Sequence, residues 1–301
     1  MISTDPIPDR GLEITTRIGC RLSCQYCPQS VLNKAYSKRQ KKVQMDLTDF
    51  IRCLESVPSE VQVYFAGYAE PWLNPACLDM VTHTARKGHA LAVTTTLVGM
   101  SPADILALEK IERLELAIHL PAVGERWEVL VDTGYLNTLN TLLESPLAKG
   151  ATFRFHGRKL HPRIQYQLGS QRAVPISLTD RAGNITVTDH FKPVRKFGVI
   201  GCNRIYRNVL LPNGDVALCC MDYDLSTILG NLLTDGYEAL FTSEPFKTVL
   251  ESMKNSNIDS LCRHCEYASN IDMTAKIFNR NMAKVRRIAR NTYRLLNPDM
   301  P

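Results

Sequence analysis

Three thiols constrain this chain more than any other feature. Cys20, Cys24 and Cys27 stand at C-x3-C-x2-C spacing in the segment CRLSCQYC, just after the short strand-like run Leu12-Glu13-Ile14-Thr15-Thr16. Closed structural sites for zinc or iron-sulfur clusters usually take four protein ligands. Three cysteines packed this tightly therefore predict a cluster with one metal position left open for chemistry. A zinc site completed by a distant ligand, and surface thiols that merely lie close, are the other readings of the same spacing. The chain has ten cysteines in 301 residues, and no signal-peptide-like apolar stretch precedes them. Eight of the ten fall in three regions, 20–27, 202–220 and 262–265, which favours metal ligation over disulfides and a cytoplasmic location. Cys53 and Cys77 stand alone in helix-like segments and read as small core residues. With no apolar run of ~18 residues, no membrane span is expected.

Beyond the cysteine loop the sequence alternates. Strand-like runs at Val61–Phe65, Ala90–Thr96, Leu114–Leu120, Ala151–His156 and Ala173–Leu178 are separated by helix-like segments at Asp46–Val57, Ala76–Arg86, Pro102–Ile111, Leu136–Glu144 and Arg163–Leu168. With the run at Leu12 this makes six strands whose crossovers are helical, so a parallel α/β sheet is expected. Functional loops then belong at the C-terminal ends of the strands. Several candidates fall there. Ala66-Gly67-Tyr68-Ala69-Glu70-Pro71 breaks the second strand abruptly. Thr94-Thr95-Thr96 ends the third, where hydroxyls, Thr95 among them, can bond a ribose. His119 and His156 end the fourth and fifth. Arg181, after the sixth, suits a carboxylate or a substrate oxygen. Asp180, Asp222 and the two histidines are the candidate bases.

From Val199 the rhythm changes. Apolar arms around Pro212-Asn213-Gly214-Asp215 predict a hairpin. A helical stretch follows around Tyr237–Met253, and then the knuckle Cys262-Arg263-His264-Cys265. Cys202, Cys219, Cys262 and Cys265 make a full set of four thiolates, which would suit zinc or an iron-sulfur cluster equally. Either Cys219 or Cys220 can be the ligand, and the count from Gly214 favours Cys219. The expected division is 1–190, 191–270 and 271–301, the last a long amphipathic helix with a basic face. The net charge is a moderate +6; the basic run Lys34–Lys42 reads by default as solvated surface, and alternatively as a patch that steers an acidic electron donor towards the first thiols. No nucleic-acid fold signature accompanies the charge, so nucleic acid is not an expected partner.

The first triad, with Tyr26 just before its third cysteine, resembles the C-x3-C-x-aromatic-C motif of the radical SAM superfamily. That resemblance implies that Cys20, Cys24 and Cys27 hold a 4Fe-4S cluster whose fourth iron is chelated by S-adenosyl-L-methionine (AdoMet). It places the Tyr26 peptide against the adenine. It also matches Gly67, Ala69 and Glu70 to the family's Gly-Gly-Glu turn, whose backbone and carboxylate meet the methionyl amino group, a charge-assisted contact for Glu70; Ala69 departs from the usual glycine. The order of Cys202, Gly214 to Cys219 and the knuckle resembles the Twitch form of the SPASM extension, which holds one auxiliary 4Fe-4S cluster. The fold implied is a partial (β/α)6 TIM-like barrel with a small C-terminal hairpin-helix iron-sulfur domain and a long terminal helix.

The hybrid is similar to the 2-deoxy-scyllo-inosamine dehydrogenase type. This implies hydrogen abstraction from an alcohol, sugar or aminocyclitol-like substrate, followed by oxidation with the auxiliary cluster as electron acceptor and a flavodoxin- or ferredoxin-like electron donor. A redox-neutral epimerase using Cys220 as hydrogen-atom donor is the alternative, as is modification of a peptidyl substrate. A metal-stabilised binding module is the non-enzymatic reading.

Overall fold

The chain is described from a computed structural model that covers residues 10–271, apart from 23, 25, 124–130, 158, 178, 186–194 and 196. The predicted terminal helix lies outside the described residues from 272 onward, as does the proposed boundary at 190.

Six parallel strands form in sequence order: β1 (Gly11–Ile14), β2 (Gln62–Phe65), β3 (Leu91–Thr95), β4 (Leu114–His119), β5 (Thr152–His156) and β6 (Ala173–Ile176). Each pairs with the next in parallel register, as Leu12 with Val63 and Val93 with Leu116. The crossovers carry α1 (Gln29–Arg39), α2 (Leu47–Glu55), α3 (Cys77–Arg86), α4 (Pro102–Leu108), α5 (Thr133–Glu144) and α6 (Pro162–Leu168). This is a partial TIM-like barrel.

The core follows from the patterning. Val63 and Phe65 are buried on β2, and Phe50, Cys53 and Leu54 on the inner face of α2. Lone Cys77 is buried in the same core, and none of the ten cysteines forms a disulfide. Helix starts are set by local chemistry. Ser101 and Asp104 form a reciprocal capping box ahead of α4, with Pro102 in its first turn.

Three features differ from the sequence expectations. First, α1 grows straight out of the cysteine loop, where only a basic run was expected. Its apolar signal is weak because only Leu32 and Tyr36, four residues apart, are buried. Second, the helical stretch after Tyr237 is split into a 3-10 turn at Tyr237–Thr242 and α7 (Glu244–Lys254). Ser243 caps the new start by accepting from the Phe246 N–H at 3.3 Å, and Pro245 sits in its first turn.

Third, the hairpin does not stand apart from the barrel. After β7 (Ile200–Gly201), β8 (Arg207–Leu210) runs parallel to β1, pairing Leu12 with Asn208. β9 (Asp215–Ala217) and β10 (Ile228–Asn231) then continue antiparallel, so one sheet runs β10-β9-β8-β1-β2-β3-β4-β5-β6. The short α8 (Leu261–His264) carries the knuckle, and β11 (Ser269–Asn270) pairs back on β7. Because β1 leads into the first thiols and the hairpin into the second group, this shared edge fixes the two groups relative to each other. No helix among the described residues is long and apolar enough to cross a membrane.

Candidate active site and the two cysteine groups

The C-terminal ends of the first strands open into a cavity of about 160 Å³. Cys20, Cys24 and Cys27 line it together with Gly67, Ala69 and Glu70; Thr94–Thr96, His119, Arg181 and Tyr223 close its sides. The cysteine loop is a tight turn in which the Cys27 N–H donates to the Cys24 carbonyl at 3.0 Å and the Gln29 N–H to the Cys27 carbonyl at 2.8 Å. Burial pushes the Cys20 thiol up, opposed by hydrogen bonds from the backbone of Glu70 and Leu22.

Gly67 sits at φ +60°, where the chain doubles back over β1. A Cβ there would lie 2.2 Å from Thr15 Oγ1 and 3.0 Å from the Ile14 carbonyl oxygen. That hydroxyl accepts the Tyr68 N–H at 3.1 Å, so the turn is riveted to β1. Gly67→Ala should therefore lower the unfolding free energy by about 2–3 kcal/mol, read by urea denaturation, since strain at positive φ and overpacking act together.

Glu70 is buried at 5% exposure. Its Oε1 accepts from the Thr95 hydroxyl at 2.7 Å and the Trp72 N–H at 3.3 Å, and its Oε2 from the Thr96 N–H and hydroxyl, both at 2.7 Å. Four donors fill the acceptor sites of a carboxylate. Burial still raises the carboxyl above its usual range, with those donors pulling the other way. Thr95, expected to offer a hydroxyl to a ribose, instead spends it on Glu70 and accepts the Leu97 N–H at 2.9 Å, at 1% exposure. It shapes the cavity through Glu70.

Tyr26 packs on His156 with ring centroids 4.0 Å apart and the rings tilted by 43°, and its carbonyl accepts from Arg181 Nε at 3.4 Å. Arg181 has φ 53° and is followed by Ala182 at 56°, left-handed conformations that non-glycine residues hold only when their surroundings over-determine them. His119 is pushed down to about 4 by burial and the charges of Arg154 and Arg181. His156 is pushed down to about 3 by burial, His119 and Arg181. Both rings are neutral and weakly basic at neutral pH. Asp222 is locked in a turn, accepting from Ser226 N–H and Oγ and from Thr227 N–H at 2.8–2.9 Å. Asp180 leans on Glu266.

The second thiol group surrounds a closed cavity of about 20 Å³. Cys202, Cys219, Cys262 and Cys265 all line it, with Ile205, Leu218 and other apolar groups between them. Burial and mutual repulsion push Cys262 up to about 12 and Cys265 up to about 11. Four thiols lining one small cavity are the donor set of an iron-sulfur or zinc centre, whose cation would take the place of their protons. Among the described residues no three His, Cys, Asp or Glu side chains converge as the ligands of a single metal ion do. The knuckle is anchored by Arg263, a residue without an expected role: at 2% exposure, its guanidinium donates to the Ser252 carbonyl at 2.7 and 3.0 Å and to the Arg195 carbonyl at 2.9 Å. Cys220 lines neither cavity. Its sulfur accepts from Arg204 Nη1 at 3.9 Å, and burial with the nearby Glu13 charge pushes its thiol up to about 12.

Two tyrosines and a glutamine, none singled out in the sequence, tie the groups together. Gln29 joins the Cys20 backbone, the Cys27 sulfur and the Tyr68 carbonyl. The Tyr68 hydroxyl reaches the carbonyls of Cys219 at 2.8 Å and Asp222 at 3.0 Å, and its ring meets Tyr223 edge-on at 5.0 Å. Tyr223 Oη lies 3.7 Å from Cys27 Sγ. Only the tertiary pairing of β1 with β8 brings residues so far apart in sequence together, so no local signal could have marked them.

Residues 202–266 match SPASM, an iron-sulfur cluster-binding domain. An 87-residue stretch, 28% of the chain, is 32% identical to a tungsten-containing aldehyde ferredoxin oxidoreductase cofactor-modifying protein of Pyrococcus furiosus. That alignment spans 22% of the curated relative's length. Among solved structures, BtrN in complex with AdoMet and 2-DOIA superimposes with a TM-score of 0.58 at 16% identity, covering 89% of this chain and 95% of that one. SuiB of Streptococcus suis bound to the precursor peptide SuiA gives 0.57 at 12% identity, covering 85% and 69%. anSMEcpe with bound AdoMet gives 0.53 at 11% identity, covering 85% and 86%. The chain has the fold of radical SAM enzymes and carries a SPASM domain at its C-terminal side.

Proposed function

We propose that this chain is a radical SAM oxidoreductase of dehydrogenase type, acting on a C–H bond of a polar substrate such as an alcohol, sugar or aminocyclitol. The observation that carries the reading is the inequality of the two thiol groups. Three line an open cavity at the sheet's functional end, and four ring a closed one. The residues fit two 4Fe-4S clusters: Cys20, Cys24 and Cys27 would hold the first beside AdoMet, and Cys202, Cys219, Cys262 and Cys265 the second. When bound, AdoMet and the first cluster would supply radical abstraction of a substrate hydrogen atom, and the second cluster would supply an acceptor for the electron that oxidation of the substrate leaves over.

The chain's own residues supply binding and orientation. Because the Glu70 carboxylate is saturated by Thr95, Thr96 and Trp72, it holds the Gly67–Glu70 turn rigid, and the backbone of that turn would be left to meet the methionyl group. Tyr26, packed on His156, would present its peptide to the adenine of bound AdoMet. Arg181, a permanent cation at the cavity wall, orients a carboxylate or a substrate oxygen. The exposed Lys34, Lys38 and Arg39 of α1, which springs from the cysteine loop, suit an acidic flavodoxin- or ferredoxin-like donor.

The likeness to BtrN supports a small cyclitol-like substrate; the likeness to SuiB supports a peptidyl one. Cys220 lies outside both cavities, so oxidation is favoured over epimerisation by that thiol. The test is anaerobic turnover in deuterium oxide with dithionite, AdoMet and 2-deoxy-scyllo-inosamine or related polyols. Formation of 5′-deoxyadenosine with a carbonyl product is expected. Solvent deuterium on the carbon of an epimerised product would overturn the oxidative reading, and the absence of 5′-deoxyadenosine after full reduction would overturn the radical one.

A further inference from the structure

We infer that Tyr223, reaching out of the second cysteine region, acts with Gln29 to set the reduction potential of the cluster held by Cys20, Cys24 and Cys27. The inference rests on the radical reading above. The Cys27 sulfur meets two side-chain donors, Gln29 Nε2 at 3.3 Å and Tyr223 Oη at 3.7 Å. The glutamine's orientation is determined by its partners. Its Oε1 accepts the Cys20 N–H at 3.3 Å, so its amino end must face Cys27 and the Tyr68 carbonyl, 2.6 Å away. A cysteine that ligates iron has no proton to give, which leaves the phenol of Tyr223 as the donor.

Hydrogen bonds to a ligand sulfur stabilise the added negative charge of the reduced cluster and so raise its potential. Tyr223 is 4% exposed, and its ring is held edge-on by Tyr68, whose hydroxyl is bonded to the Cys219 and Asp222 carbonyls. The reach of the phenol is thus fixed by the loop that follows a thiol of the second group. An ordered second site places a donor on the first, and Tyr223 is a positioning residue for electron entry.

The test is an EPR-monitored redox titration of the anaerobically reconstituted full chain. Tyr223→Phe keeps the ring and removes only the donor. The ratio of reduced to oxidised first cluster at a fixed potential should fall roughly five- to tenfold, a tenfold change being ~59 mV for a one-electron couple. The second cluster's potential and the iron content should not change. Tyr68→Phe, which keeps the ring against Tyr223 and removes no sulfur contact, should shift the first potential by clearly less than Tyr223→Phe does. Replacing Tyr223 by 3-fluorotyrosine, a more acidic phenol of nearly the same shape, should move the ratio the opposite way, and this keeps the inference testable if the phenylalanine variant fails to load iron. An unshifted potential in both Tyr223 variants, or an equal shift in Tyr68→Phe, would overturn the inference while an AdoMet-responsive first cluster left the radical reading intact. A wild-type chain with no such cluster would overturn both.

Discussion

Cys24→Ala is expected to abolish reductive cleavage of AdoMet while leaving the second cluster in place. Iron should fall from about 8 to about 4 per chain, and 5′-deoxyadenosine should drop by more than the 10–100-fold typical of changes in a metal's outer shell. The expectation follows from where the three thiols stand. They share a turn closed by the Cys27–Cys24 backbone hydrogen bond, line the cavity into which the Gly67–Glu70 turn projects, and lie apart from the small cavity of the other four. Alanine at position 24 removes one ligand of three without touching the β1–β8 pairing or the knuckle. Iron and acid-labile sulfide analysis, with chromatographic assay of 5′-deoxyadenosine, separates loss of the first cluster from general unfolding.

Cys262→Ala should give the complementary result. Iron again falls to about 4 per chain, yet AdoMet is still cleaved, and substrate oxidation stops because the electron has no acceptor. Stability should suffer more here than in Cys24→Ala. Cys202 lies between β7 and β8, Cys219 follows β9 and Cys262 sits on α8, so a shared centre ties three separate pieces of chain together. The melting temperature should fall part of the way towards that of the iron-free wild type. Arg263, anchored on the Ser252 and Arg195 carbonyls, keeps the knuckle near its position without metal. If Cys262→Ala still turned substrate over at the wild-type rate, the second cluster would not be the electron acceptor.

What could be read in the sequence follows the range of the forces involved. The six parallel strands were legible because their apolar runs and helical crossovers are local signals. The hairpin was legible because Asn213-Gly214 between apolar arms specifies a turn. Helix α1 was not, since two buried residues make too thin an apolar stripe. The continuation of the barrel sheet into β8 was not legible either, because strand partners nearly two hundred residues apart leave no local trace. The same distance explains the site. Thiol spacing is visible in one dimension, whereas the saturation of Glu70 by the end of β3, the inward turn of Thr95 and the bridge from Cys27 through Tyr223 and Tyr68 to Cys219 exist only after folding. Cys220 shows the converse. It is chemically identical to its neighbour Cys219, and only the backbone's direction after β9 decides which of the two faces the closed cavity.

The most direct measurement is electron-nuclear double resonance on the reduced chain with AdoMet labelled at its amino nitrogen and carboxylate oxygens. Coupling of those nuclei to the spin of the cluster on Cys20, Cys24 and Cys27 is the expected result, and it should vanish in Cys24→Ala but persist in Cys262→Ala. A first cluster that shows no coupling, and whose signal is the same with and without the nucleotide, would mean that a fourth protein side chain closes the site, contradicting the open iron on which the proposed chemistry depends.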